Sequence, residues 1–228
     1  MTDPAGHETL RYDRQLIHWG ADCQRQLAAA EVVVAGLGGL GGTVAQLLAR
    51  AGVGKLYLVD DGRIDAPDLN RQLLYDEADL GRPKLACATE KLRQINSSIQ
   101  LEPLPGRIDD DFSLPERITI AADCLDNYAA RFALEAALPH GALLVHGGIA
   151  GDQGQIVTLR KGHSQPLAEI FAGMVQPRTP IPVTGAAVTV IAALMVNELY
   201  RVMFGAPRLL DRFLVVSLDD PHLAFLDV

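Results

Sequence analysis

The 228-residue chain contains only three cysteines, Cys23, Cys87 and Cys124, and no Cys-x-x-Cys pair. Such spacing excludes a disulfide framework and provides no ligand set for a structural zinc ion. Positive charge is also in short supply: 20 lysines and arginines stand against 28 aspartates and glutamates, and the net charge is −8. An acidic chain is a poor match for nonspecific nucleic-acid binding. We therefore expect neither zinc nor a nucleic-acid partner.

Long apolar runs are lacking as well. The longest, Ala186 to Val196, falls well short of the roughly 20 residues of a membrane span and predicts a buried helix. The first ten residues are polar and do not resemble a secretory signal. We expect residues 1–9 to be disordered, and the protein to be cytoplasmic, without a membrane partner.

Glycine is plentiful and is concentrated where the first apolar strand ends. Gly36, Gly38 and Gly41 have the spacing G-x-G-x-x-G, and Asp60 directly follows the next strand. Gly36 allows a tight turn, Gly38 and Gly39 let backbone N–H groups approach a phosphate, and Gly41 lets the helix pack closely on the strand. Asp60 can accept hydrogen bonds from ribose hydroxyls. This motif predicts a nucleotide site; the alternative is a purely structural glycine turn.

Strand and helix patterns alternate as far as residue 146, which predicts right-handed crossovers and a mainly parallel sheet. Beyond it, the pattern predicts a strand at 155–159, a proline-containing loop at 160–184, a helix at 185–204 and strands at 213–218 and 223–226. We therefore predict a single α/β domain over residues 1–228. Its fold is a Rossmann-like, mainly parallel sheet flanked by helices, with antiparallel C-terminal strands. The earlier predicted strands are Glu31–Ala35, Lys55–Val59, 99–104, 118–124 and 143–146.

Two cations lie where phosphate ligands are expected. Arg71, in the run Asn70-Arg71-Gln72, follows the second strand and could grip triphosphate oxygens in a fork. Lys84 occupies the first turn of a predicted helix, where the helix dipole disfavours a cation unless a phosphate binds nearby. Each residue taken alone is equally compatible with an ordinary solvated side chain.

The pair Asp126-Asn127 follows the fourth predicted strand directly. A carboxylate at that edge can hold a Mg²⁺ ion that bridges phosphates, although Asp and Asn are also good helix N-caps. Arg11 and Arg14 lie near the N-terminus and could be surface charges. Jointly these residues indicate a site for a polyphosphate and a metal, which a nicotinamide dinucleotide would not require.

The motifs RYDRQ, GLGGLG, LVD, LNRQ, GRPK, DCLDN and GDQGQIV occur in the order and spacing of the ThiF/MoeB/HesA adenylyltransferases, bacterial relatives of the ubiquitin-activating enzymes. The chain resembles this family over roughly residues 10 to 227. The resemblance implies an enzyme that uses ATP and Mg²⁺. Such an enzyme adenylates the C-terminal Gly-Gly carboxylate of a small ubiquitin-like (β-grasp) sulfur-carrier protein and releases pyrophosphate. It also implies a homodimer.

The resemblance assigns roles by motif. The glycine turn holds phosphate, Asp60 the ribose, Asp126 the Mg²⁺ ion, and Arg14 reaches into the partner subunit's site. The expected catalytic residues are Arg14, Arg71, Lys84 and Asp126. The expected nucleotide-binding residues are Gly36, Gly38, Gly39, Gly41, Asp60, Asp68, Asn70, Arg71, Gln72, Lys84 and Asn127.

The chain departs from the family pattern at several points. It lacks the zinc-binding Cys-x-x-Cys pairs, and no cysteine follows Cys124 to form a covalent link to the carrier. We predict that Cys124 is a buried structural thiol and that His146 is also structural. Asp68 replaces a common asparagine, and a carboxylate there repels a triphosphate unless Mg²⁺ or Arg71 offsets its charge. The loop at 160–184 lies where the family threads the carrier's tail.

Two other hypotheses remain open at this point. A nicotinamide-dependent oxidoreductase would explain the glycine turn and Asp60, but not Arg71, Lys84 and Asp126. A non-catalytic scaffold that keeps the fold and binds a carrier would account for the missing cysteines. The identity of the carrier is not encoded in any of these motifs.

Overall fold

The computed structural model describes residues 10–175 and 180–228. The disorder predicted for residues 1–9 lies outside these ranges, as does a part of the loop predicted at 160–184.

The described elements alternate between strands and helices as far as β5. The strands are β1 Glu31–Ala35, β2 Lys55–Val59, β3 Gln100–Pro103, β4 Ile120–Asp123, β5 Leu143–Ala150, β6 Gln153–Arg160, β7 Arg212–Ser217 and β8 His222–Asp227. The helices are α1 Asp13–Ala29, α2 Gly39–Ala51, α3 Lys84–Ile95, α4 Tyr128–Ala137, α5 Leu167–Ile170 and α6 Gly185–Met203. Two short 3₁₀ turns, Ala66–Asp68 and Glu77–Asp79, lie between β2 and α3.

In the described residues the strands form one sheet of order β3-β2-β1-β4-β5-β6-β7-β8. Strands β1 to β5 pair in parallel, and each pair from β5 to β8 is antiparallel. The predicted fold class is therefore confirmed. The chain runs outward from β1 to β3 and then returns to β4 on the other side of β1. Ligands of open α/β sheets bind at such a reversal, outside the carboxyl ends of the strands.

The sheet is covered on both faces, which explains why its central strands are apolar throughout. In β1, Val32 and Val34 belong to one buried cluster while Val33 and Ala35 belong to the other. This is the two-residue alternation of a strand with both faces buried. Helices α2, α3 and α6 pack on the first face, and α4 packs on the second.

Helix α6 is the central helix of the first face. By length and composition it could span a membrane, since its most apolar 18-residue segment has a mean hydropathy of 1.5. However, 56% of that segment is buried inside the protein. Ile191, Met195 and Leu199 are fully buried at i, i+4 and i+8, the spacing of one helix face. The prediction of a buried helix over this apolar run is confirmed.

Several boundaries differ from the predicted ones. Helix α1 is kinked at Gly20, where φ is 82°. Helix α2 begins at Gly39, so its first turn is formed by the glycine motif itself. Strand β5 runs past His146 to Ala150 because its end pairs with β6 across a tight hairpin. The short helix α5 lies in the predicted loop, where the backbone N–H of its first residue donates to Glu135 Oε2 at 2.8 Å.

Candidate nucleotide site

A cavity of about 470 Å³ opens at the carboxyl ends of β1, β2 and β4. This is the position that the strand order predicts for a ligand, and the volume lies within the usual range for small-molecule sites. Most of the predicted site residues line it: Gly36, Gly38, Gly39, Asp60, Asp68, Arg71, Gln72, Lys84, Asp126 and Asn127.

The glycine turn forms the floor of the cavity. Gly36 has φ of +84°, and a Cβ at Gly41 would lie 1.7 Å from the carbonyl oxygen of Gly36. Gly41 therefore does not line the cavity but allows α2 to approach β1. A Cβ at Gly38 would meet its nearest described neighbour, Gln72 Nε2, at 3.6 Å. No described side chain caps α2, so its first N–H groups remain available to an anion.

Asp60 holds the turn in place. Its Oδ2 accepts a hydrogen bond from the backbone N–H of Leu37 at 2.7 Å, and its Oδ1 accepts one from Gly62 at 2.8 Å. The carboxylate therefore ties the end of β2 to the glycine turn beside β1. The sequence predicted only a ribose contact for Asp60, and this structural role was missed. Each carboxylate oxygen accepts one of these hydrogen bonds and keeps a further lone pair for a ligand in the cavity.

Arg71 and Lys84 meet at a shared carboxylate. Asp68 Oδ1 lies 3.3 Å from Arg71 Nη2, and Asp68 Oδ2 lies 3.1 Å from Lys84 Nζ. Gln72 Nε2 donates to Asp68 Oδ1 at 2.6 Å. Arg71 Nη1 also donates to the carbonyl oxygen of Pro67 at 2.7 Å. The two predicted phosphate ligands are thus brought together on the cavity wall.

Asp126 and Asn127 lie at the end of β4. Asn127 is the N-cap of α4, because its Oδ1 accepts from the backbone N–H of Ala130 at 2.9 Å. Its Nδ2 donates to Asp126 Oδ1 at 3.2 Å. The capping alternative is therefore realised by Asn127, and Asp126 is held at the cavity wall beside it.

A buried charge network supports this edge of the cavity. Arg131 Nη1 lies 3.2 Å from Asp123 Oδ2, and His146 Nδ1 lies 2.6 Å from the same oxygen. Arg131 also donates to the carbonyl oxygens of Leu125 and Gly147. Since Arg131 lines the cavity, the network connects the loop after β4 to β5. Sequence reasoning placed His146 as structural but found no partner for it.

The network sets the charge states of its members. Burial alone raises the pKa of the Asp123 carboxyl, but Arg131 and the His146 hydrogen bond outweigh it, and the pKa lies below its usual range. Burial and the Arg131 guanidinium lower the pKa of His146. His146 is therefore neutral at pH 7. Burial raises the pKa of the neighbouring Cys124 thiol, as expected for a structural cysteine.

Besides Gly41, two predicted site residues, Asn70 and Arg14, lie away from the described cavity wall. Asn70 is exposed, and its Oδ1 accepts from Arg71 Nη1 at 3.1 Å. Asn70 therefore contacts Arg71, a candidate phosphate ligand, but does not itself line the cavity. Arg14 is exposed on α1, and its predicted role in a partner subunit's site stays a prediction. Arg11 donates to the carbonyl oxygen of Ile95 at 2.8 Å and so ties the residues just before α1 to the end of α3.

Sequence reasoning missed other cavity residues. Arg107 and Ile108, which follow β3, line the cavity, as does Leu125 after β4. Their only signal is position, since each follows a strand at the ligand edge of the sheet. Arg131 carried a clearer signal, because it is the one cation in the otherwise largely apolar run that follows Asp126-Asn127.

The strand order, the glycine turn and the position of the cavity are those of the α/β folds that bind nucleotides. The model of the ThiF family matches residues 12–226, and the chain belongs to that family. It is 33% identical to the molybdopterin-synthase adenylyltransferase of Salmonella typhimurium over 218 residues, covering 91% of this chain and 88% of the relative. It is 32% identical to the sulfur carrier protein adenylyltransferase of Thermus thermophilus over 213 residues, covering 87% and 79%.

Solved structures show the same fold. The Escherichia coli protein MccB, determined with ATP, superposes with a TM-score of 0.80 at 21% sequence identity, covering 95% of this chain and 71% of MccB. At this identity the likeness concerns the fold alone.

The low pKa of His146 predicts a pH-dependent stability. The unfolded chain binds a proton on His146 near pH 6.5, whereas the folded protein resists it. The stability contribution is thus complete above about pH 6.5 and is lost as the pH falls below it, by up to about 1.4 kcal/mol per pH unit. We expect His146→Gln to flatten this decline, measured by urea unfolding at several pH values between 7.5 and 5. Equal slopes for variant and wild type would contradict the assignment.

Proposed function

We propose that this chain is an ATP-dependent adenylyltransferase. It activates the C-terminal Gly-Gly carboxylate of a small ubiquitin-like sulfur-carrier protein and releases pyrophosphate. The observation that carries the proposal is the convergence of Arg71 and Lys84 on a cavity whose other walls are the glycine turn and Asp126. Such a cavity suits a nucleotide that carries several phosphates.

The relatives support this proposal. The Salmonella typhimurium and Thermus thermophilus relatives are both named as adenylyltransferases, and the name of the second specifies a sulfur carrier protein. The MccB structure contains ATP in a protein of the same fold. The carrier substrate is inferred from these names, whereas the nucleotide substrate is inferred from the cavity.

The chemistry requires positive charge more than a side-chain nucleophile. A carrier carboxylate attacks the α-phosphorus, a new C(O)O–P bond forms, and the bond to the pyrophosphate oxygen breaks. Attacking group and triphosphate are both anionic, so cations at the phosphates lower the barrier. Arg71 and Lys84 supply charge on one wall, and the N–H groups of the α2 N-terminus supply partial charge on the floor. The remaining contribution is in-line positioning.

The site suits a Mg²⁺ ion that is held jointly by one carboxylate and the phosphates of the substrate. Among the described residues, no group of three or more His, Cys, Asp or Glu side chains could hold a metal on its own. Mg²⁺ is commonly bound by one or two carboxylates together with substrate phosphates and water. Asp126, at the cavity wall, would be the protein ligand. The ion would neutralise phosphate charge when bound with ATP.

We further propose that the protein acts as a homodimer. Helix α1 carries Arg14 together with Ile17, whose surface is 83% exposed, and Leu10 just before it is 64% exposed. A large exposed apolar residue next to an exposed cation fits the rim of a subunit interface. Arg14 would then complete the phosphate site of the partner subunit.

The reaction predicts ATP–pyrophosphate exchange that requires both Mg²⁺ and a carrier. With radiolabelled pyrophosphate and a panel of purified β-grasp carriers ending in Gly-Gly, we expect exchange with at least one carrier. Arg71→Ala and Asp126→Ala should each lower the exchange rate by about 100-fold or more, because each removes charge stabilisation at the phosphates.

The matched control is Arg93→Ala, an exposed arginine in the last turn of α3, which should exchange like wild type. A carrier that lacks its final glycine tests the need for the carboxylate position. Wild-type exchange rates in both site variants would refute the residue assignment. ATP binding without exchange on any carrier would instead favour a non-catalytic scaffold.

Arg14 acting in the partner's site predicts complementation between inactive subunits. Arg14→Ala and Arg71→Ala homodimers should each be inactive. After dissociation and equal mixing, half of the dimers are mixed, and each has one intact site, so about one quarter of the wild-type exchange rate should return. No recovery, despite mixed dimers seen by native mass spectrometry, would show that Arg14 does not act in trans.

A further inference from the structure

Asp68 forms ion pairs with both of the cations that the proposed reaction needs, Arg71 and Lys84. Its carboxylate lies 3.1 Å from Lys84 Nζ and 3.3 Å from Arg71 Nη2, and its Oδ2 accepts from the backbone N–H of Asp65 at 3.2 Å. Gln72 adds a hydrogen bond at 2.6 Å. All four groups converge on one side chain at the cavity wall.

This cluster is shielded from water. The side chains of Asp68, Lys84 and Arg71 are 13%, 14% and 28% exposed, so their attraction is screened less than that of a surface pair. Gln72 is only 3% exposed, and in the described part of the chain its Oε1 has no hydrogen-bond partner. The amide is oriented by Asp68, and its acceptor remains unsatisfied.

The charge balance follows directly. Arg71 and Lys84 together carry two positive charges, and Asp68 cancels one of them within hydrogen-bond distance. A phosphate that binds the same nitrogens has to displace the carboxylate or bind beside it, and both cost free energy. An asparagine at this position would have nearly the same shape and would leave both charges to the ligand.

We propose that Asp68 is an internal anion that competes with polyphosphate for Arg71 and Lys84, and so sets the affinity of this site for phosphate ligands. The inference rests on the proposed function, because it takes these two cations as the phosphate ligands. In the ligand-free protein Asp68 holds both cations in place. When pyrophosphate leaves, Asp68 takes back the same nitrogens and opposes rebinding of the product.

The test compares wild type with Asp68→Asn by isothermal titration with inorganic pyrophosphate, Mg²⁺–ATP and adenosine. We expect the variant to bind pyrophosphate about tenfold more tightly, since two partly buried ion pairs no longer compete. ATP should also bind more tightly, and adenosine should bind equally. Pyrophosphate should correspondingly become a stronger product inhibitor. A structural defect would weaken binding, so a gain in affinity is specific to competition.

The matched control is Asp61→Asn, which removes the same charge from the same cavity but from a residue that forms no ion pair in residues 10–175 and 180–228. Its effect on pyrophosphate affinity should be much smaller. Asp68→Ala provides the same comparison if the asparagine variant fails to fold. Equal or weaker pyrophosphate binding by the Asp68 variant would overturn the proposal.

The variant Arg71→Ala distinguishes a failure of the proposed phosphate site from a failure of the proposed competition by Asp68. If it abolishes ATP binding while Asp68→Asn changes nothing, the phosphate site stands and the competition fails. If Arg71→Ala binds ATP like wild type, the proposed phosphate site itself fails.

Discussion

Helix α2 lies so close to the end of β1 that a Cβ at Gly41 would come within 1.7 Å of the carbonyl oxygen of Gly36. This close approach brings the N-terminus of the helix to the carboxyl edge of the sheet, and Asp60 secures the turn from β2 through two backbone hydrogen bonds. Since β4 lies on the other side of β1, the same contact forms the floor of a crevice. The residues that follow β2 and β4 form the other walls of the cavity on either side of the glycine turn.

Charge around the cavity is arranged in two different ways. On the wall next to β2, Asp68 balances Arg71 and Lys84 at largely buried positions that line the cavity, and a bound phosphate would compete with the carboxylate there. At the wall next to β4, Arg131 is hydrogen-bonded to the buried Asp123 and His146 and to backbone carbonyls. The first arrangement suits binding and release. The second suits a fixed support, since separating buried charged groups is costly.

Much of this organisation could be predicted from local sequence patterns. Strand spacing, the glycine motif and the position of Asp60 are short-range features, and they predicted the parallel sheet and the ligand edge. Arg71, Lys84 and Asp126 were found because each follows or precedes an element at that edge. The chemistry assigned to them remains part of the proposal.

The features that were missed depend on partners distant in the sequence. His146 and Asp123 meet only because β4 and β5 are neighbours, and neither residue carries a local signal of this pairing. The second role of Asp60 depends on the path of the turn after β1. Whether Asp126 or Asn127 would cap α4 could not be decided from composition, because both residue types cap helices well.

The central claim is that this cavity binds a triphosphate through Arg71. The most direct measurement is the thermal stabilisation of wild type and Arg71→Ala by Mg²⁺–ATP and by NADH. At 100 times its dissociation constant, a ligand adds about 2.7 kcal/mol of stability. The account predicts stabilisation of wild type by Mg²⁺–ATP that the variant loses. Stabilisation by NADH alone, or equal stabilisation of the variant by Mg²⁺–ATP, would contradict it.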